Sequence, residues 1–216
     1  MVVVGNSEAG KGFTRLCYAA QFFFGGWFLA HGLNHWLEFF PRPSGSSPIS
    51  KELIGALNHS GIFVIVKALE VVTGAMLLAN RAVPLAAVLA MPVTLSVAHL
   101  NIVANADTFG MVVGVIAIGL NGLVLLGHLD RFLPMLAIRH GDPSGAGLAA
   151  LRQGWPNAER GPALKGMTHL IAIVVGIAAP IAVTFWSVRD GGFRSKEHYA
   201  QVPAPASQAT PAGEHP

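Results

Sequence analysis

The sequence predicts an all-α protein, a polytopic bundle of five transmembrane helices, and three observations carry that prediction. Hydrophobic residues make up 52% of the 216 positions and charged residues only 12%, a balance far from that of soluble domains. The apolar residues fall in blocks, several of which reach the about 20 residues a helix needs to cross the hydrocarbon core. Between the blocks lie stretches rich in Pro, Gly and charge, the residues that punctuate helices.

The first block covers residues 16–40 and is rich in aromatics, among them Phe22, Phe23, Phe24, Trp27, Phe28 and Trp36; it ends at Pro41, with Pro43 and an SGSS run following as loop chemistry. The second, 60–78, stops at Asn80 and Arg81. The third, 83–103, contains Pro92, which a membrane helix accommodates when neighbours satisfy the freed carbonyl. The fourth, 109–126, carries Gly110, Gly114, Gly119 and Gly122, a composition suited to close helix contact. Residues 129–165 read as a polar loop, with one short surface helix around 147–153. The fifth helix, 166–189, contains Pro180 and ends in Trp186 and Arg189, an interfacial signature. The last stretch, 190–216, is Pro/Ala-rich and reads as an extended exported tail. The domain reading is therefore a bundle over 1–128, the loop, the fifth helix and the tail.

Several function classes are set aside by composition. One cysteine, Cys17, excludes an intrachain disulfide framework and dithiol chemistry. The net charge of +3 sits in loops and tails, not on a basic face with interleaved aromatics, so nucleic acid is not an expected partner. The N-terminus lacks the pattern of a removable signal peptide, which leaves the first helix as the insertion signal. Lys11, Arg15, Arg81, Arg131, Arg139, Arg152, Arg160 and Lys165 fall on the N-terminal side, against Arg42, Lys51, Arg189, Arg194 and Lys196 on the other. By the positive-inside rule the N-terminus is cytoplasmic and the C-terminus exported.

Polar residues within the spans are the candidates for function. Position along a helix converts to depth at about 1.5 Å per residue, which puts Glu70 at the middle of the second span with Lys67 one turn away on the same face. Ionisable groups there are costly and face the bundle interior, paired or wet. His31 and His35 are one turn apart with Asn34 between them, and His99, Ser96 and Asn101 fall in the same half of the third span, while Asn58 and His59 stand at the mouth of the second. If the three helices face one another, His31, His35, His59, Lys67, Glu70, Ser96, His99 and Asn101 line one polar pocket open to the exported side, fit for a quinone head group, a transition metal or a proton path. His31, His35 and His99 are the metal-ligand candidates. A haem would need His31 or His35 to meet a histidine of another helix, because two on one face cannot flank one iron.

Plain alternatives stand beside each of these. Lys67 and Glu70 are equally a structural ion pair that locks packing, and each histidine equally a hydrogen-bonding contact between helices. The HxxxH pair lacks the glutamate of HExxH, and no nucleophile elbow, Walker loop or GxGxxG opening a helix is present. No catalytic motif therefore argues for an enzyme.

The run VKALEVVTGAMLLANRAVPLAAVLAMPVTLSVAHL, with Glu70, Gly74 and Arg81 at the turn, resembles the DoxX-like family of small bacterial membrane proteins, and GGWFLAHGLNHW in the first helix is similar to that family's glycine-bearing first helix. The resemblance covers about residues 13–128. It implies a four-helix membrane bundle in the bacterial inner membrane. It also implies an association with thiosulfate oxidation passing electrons to quinone, or with oxidoreductase assemblies that respond to oxidative stress. Glu70 matches the family's acidic position in the second helix, whereas His31, His35 and His99 rest on depth alone. The loop, fifth helix and tail depart from the pattern and suit a subunit of a larger complex. Three functional expectations follow: an accessory subunit of a redox or respiratory-type complex contacting quinone or lipid, a small-molecule or metal-ion transporter, and a structural subunit docking on other membrane proteins.

Overall fold

The computed structural model describes residues 8–41, 45–136 and 166–189. Its elements are α1 (Glu8–Leu37), α2 (Pro48–His59), α3 (Ile62–Leu78), α4 (Val83–His99) continued by a π-helical segment (Leu100–Asn105), α5 (Thr108–Gly127), α6 (Leu129–Leu136) and α7 (Gly166–Arg189). No strand occurs among the described residues. The expected surface helix at 147–153, most of the polar loop and the tail 190–216 lie outside them.

The distribution of side chains is that of a protein solvated by lipid. Asn121, Thr73 and Gln21 are buried, while Ile65 and Val115 are 68% and 62% exposed and long apolar faces of α5 and α7 have no covering helix among the described residues. A soluble fold would reverse this arrangement. Hydroxyls within the helices are satisfied locally: buried Thr73, Thr94, Thr184 and Ser187, and Ser96 on the outer face of α4, each donate to the carbonyl four residues earlier, the usual recourse of Ser and Thr in a helix without water. Among the described residues three helices are long and apolar enough to cross a membrane, Val83–Asn105, Thr108–Gly127 and Gly166–Ser187. The bent pair of α2 and α3 makes a fourth if it counts as one span. The expected five spans are thus three or four, and α1 stands outside the set because Gln21, His31, Asn34 and His35 dilute its hydropathy. Those residues cost little where they are, since α1 is enclosed by α3, α5 and α7 and has no exposed residue from Ala20 to His35.

Glycines set how closely α1 is enclosed. A Cβ on Gly74 would lie 2.7 Å from the Gly25 carbonyl oxygen, and one on Gly25 would lie 2.8 Å from the Leu77 Cβ, so α1 and α3 touch backbone to backbone. Gly26 faces the other way, where a Cβ would collide with the Gly176 carbonyl of α7; a Cβ on Gly176 would in turn lie 2.7 Å from the Phe22 carbonyl oxygen. Adjacent glycines thus serve two different neighbours, the close approach that small residues allow between membrane helices. The fourth-span glycines fulfil the expectation only in part. Gly110 and Gly114 are buried against the π-helical segment and α4, whereas a Cβ on Gly119 or Gly122 would meet open space.

Two elements differ from the expectation. Residues 48–59, expected as connection, form α2: Ser47 and Ser50 make a reciprocal capping box and Pro48 occupies the first turn, where its missing N–H costs nothing. The chain then turns at Gly61, φ 76°, and α3 leaves at 87° to α2. Asn58 and His59 therefore end an amphipathic helix lying across α3 and do not continue the span. Residues 129–136, expected as the start of the loop, form α6.

The glycine crossings predict a contrast that thermal unfolding in detergent reads directly. Gly26→Ala and Gly176→Ala are expected to destabilise the bundle by about 1–3 kcal/mol through overpacking. Gly119→Ala is expected to be neutral or stabilising by up to about 1 kcal/mol through helix propensity. Equal melting temperatures for all three would contradict the crossing geometry.

Candidate functional site

The residues singled out by depth do not form one pocket. His31 directs Nε2 to the Thr184 hydroxyl of α7 at 3.1 Å, with its ring stacked on Trp27 at 4.8 Å and edge-on to Phe40 at 4.9 Å. His35 instead lies edge-on to Trp36 and to Phe63 of α3. Four residues advance a helix by about 400°, and the residual 40° is enough, on a helix wrapped by several neighbours, to send consecutive turns to different partners. The partners of His31 are thus a hydroxyl of α7 and the Trp27 and Phe40 rings.

Lys67 and Glu70 do pair as their spacing predicts. The ammonium lies 2.8 Å from each carboxylate oxygen and 5.1 Å from the Phe63 ring centroid. Burial is unequal: the side chains of Lys67 and Glu70 are 16% and 5% exposed. Lys67, Phe63 and His35 form a continuous series of contacts from α3 to α1, and the carbonyl of Lys67 lies against Gly32, where a Cβ would stand 3.0 Å away. The pair thus occupies the α1–α3 interface, where it is compensated locally.

The remaining candidates lie elsewhere. Ser96 and His99 are exposed on the outer face of α4, and His59 is exposed at the end of α2. Asn101 donates to the Val97 carbonyl at 2.8 Å within its own helix. The metal set His31, His35 and His99 is therefore not brought together, because α4 turns its His99 face away from α1; among the described residues no group of three His, Cys, Asp or Glu side chains converges as metal ligands do. Of the eight, His35, Lys67 and Glu70 belong to one contact series, and His31 lies within electrostatic reach of Lys67.

The structure shows other polar side chains doing the connecting. At the end of the bundle with the α3–α4 turn, Gln21 donates from Nε2 to the Leu77 carbonyl at 2.9 Å and to Asn80 Oδ1 at 3.0 Å, and His169 Nε2 lies 2.9 Å from the Leu78 carbonyl. The C-terminal carbonyls of α3, which have no partner within the helix, are thus covered from α1 and α7. At the opposite end Asn34 holds the Phe40 backbone with two 2.9 Å bonds, which folds the chain leaving α1 back over His31. Nearby, the Ser47 hydroxyl donates to the Ala104 carbonyl at 2.6 Å and the Ser46 N–H to Asn105 Oδ1 at 2.9 Å, so the start of α2 is tied to the π-helical segment. Between α4 and α5, Asn121 donates to the Thr94 hydroxyl at 3.0 Å. Gln21 had a signal in the sequence, a lone amide in an otherwise apolar and aromatic run; Thr184 and Asn121 had none beyond being polar within a span.

The unequal burial of the ion pair predicts an asymmetric response to substitution, read as unfolding in detergent. Lys67→Met leaves the nearly enclosed carboxylate without its counter-charge and is expected to cost about 3–5 kcal/mol. Glu70→Gln is expected to cost less, because the amine keeps Phe63 and partial exposure. Replacing both by Met is expected to be close to neutral, as for buried pairs exchanged for apolar groups; a double variant as unstable as Lys67→Met would show that the charges have further partners.

No family model, curated protein or solved structure matches this chain.

Proposed function

We propose that this chain is an integral membrane accessory subunit whose interior polar residues hold its own helices in place while its apolar exterior docks on other membrane proteins. One observation carries the reading: the buried polar side chains join one helix to the next. Gln21 with Leu77 and Asn80, His31 with Thr184, His169 with Leu78, and Asn121 with Thr94 each close a contact between two elements. Side chains committed in this way act as the polar adhesive of membrane bundles. The Lys67–Glu70 ion pair lies within one helix, its two charges neutralising each other.

In this reading α1 is also a span, the central one. Its length of 30 residues corresponds to about 45 Å, and its polar groups face protein. That gives a bundle of five, four in the DoxX-like part and α7 added, with the N-terminus cytoplasmic in the bacterial inner membrane by its Lys and Arg asymmetry. The resemblance of residues 13–128 to the DoxX-like family supports a place in a redox or respiratory-type complex, with quinone or lipid as the contact at its surface.

Purification in mild detergent tests this. The chain is expected to bring other membrane subunits with it, and the association is expected to persist when His31 is replaced by Gln and when Lys67 and Glu70 are both replaced by Met. Loss of the partners on these interior substitutions, with the bundle still folded, would refute the adhesive reading and favour a working site at the ion pair.

A further inference from the structure

The outer face of α4 is unlike the other lipid-facing surfaces. Leu85, Leu89, Pro92, Ser96 and His99 follow one another at alternating steps of four and three, Val103 lies about one turn further on in the π-helical segment, and all are exposed. That spacing is the seam of two helices crossing at about 20° in a left-handed sense. The exposed faces of α5 and α7 present Val112, Val115, Ile116, Leu170, Ile171 and Val174, which acyl chains solvate well. His99 is a different matter. It lies five residues past the midpoint of the span Val83–Asn105, hence about 7.5 Å from the bilayer centre, inside a hydrocarbon layer that extends about 15 Å to each side. Among the described residues it has no hydrogen-bonding or ionic partner. An imidazole facing lipid leaves a donor and an acceptor unsatisfied, which membrane proteins avoid by pairing them between helices.

We infer that this face pairs with the same face of a second copy of the chain, His99 hydrogen-bonding the partner subunit's His99. Two copies inserted in the same orientation are related by a twofold axis along the membrane normal, so each α4 residue on the seam meets its own counterpart at its own depth. A neutral imidazole suits such a meeting because it carries one N–H donor and one bare-nitrogen acceptor: the N–H of one ring donates to the nitrogen of the other. Ser96, a turn away, has its hydroxyl turned inward to the Pro92 carbonyl at 2.8 Å and so offers the small profile that lets the helices approach. The pairing does not depend on the identity of any larger complex.

Disulfide trapping in native membranes tests it, since Cys17 is the chain's one cysteine and Cys17→Ala clears the background. With His99 intact, Ser96→Cys and Val103→Cys are expected to give an oxidised species of twice the chain mass, while Val115→Cys on α5 and Val174→Cys on α7 remain monomeric. In detergent, His99→Leu is expected to weaken self-association between about threefold and twentyfold, the range for one interhelical hydrogen bond, and His99→Asn, which also donates and accepts, to retain most of it. Trapping of a different protein at position 96 or 103, a monomer throughout, or equal trapping at 115 would each overturn the self-pairing. Co-purification of other subunits is read separately and does not require the α4 faces to pair, so this inference and the accessory role fail separately.

Discussion

Backbone contact around α1 is the constraint on which the rest of the bundle depends. In lipid, helices gain little from burying apolar surface against each other, so association falls to van der Waals contact and polar pairing, both of which require short separations. Gly25 and Gly26 supply those separations in two directions, toward Gly74 on α3 and Gly176 on α7. Once the backbones touch, side chains of ordinary length reach across: Gln21 to the end of α3, His31 to Thr184 of α7. With wider spacing both would need water that the membrane interior does not provide.

This close packing also explains how so polar a helix sits at the centre. Gln21, Asn34 and the two histidines would be costly on a lipid-facing surface, yet each is enclosed and finds contacts on a neighbour or on the chain that folds back over it. The two ends of the bundle use the same device, an amide side chain satisfying exposed backbone groups. Gln21 covers carbonyls where α3 ends, and Asn34 fixes the strand of chain that leaves α1. The ion pair of Lys67 and Glu70 lies between them at the α1–α3 contact, a local neutralisation and not the centre of a cavity.

For function, the consequence is a division between inside and outside. In the proposed reading, interior polarity serves architecture and the surface is left to recognise partners. That surface is not uniform, since α5 and α7 expose aliphatic side chains whereas α4 exposes an imidazole at a depth where lipid offers it nothing.

The sequence by itself determined the helical class, the membrane setting, the positions of the later spans and the pairing of Lys67 with Glu70, because block length, hydropathy and a spacing of three residues are local properties that survive any arrangement of the helices. It did not reveal α2, whose signal is a short capped amphipathic pattern easily read as a loop between apolar blocks, nor which glycines pack. Gly119 and Gly122 match Gly110 and Gly114 in composition but face outward. Only the tertiary structure decided the fate of the histidines. Depth places His31, His35 and His99 at one level, but facing depends on helix rotation, and rotation is set by the glycine contacts of α1 and by the packing of α4 on α3 and α5. That rotation placed His31 and His35 against different neighbours inside the bundle and left the His99 imidazole exposed on its rim.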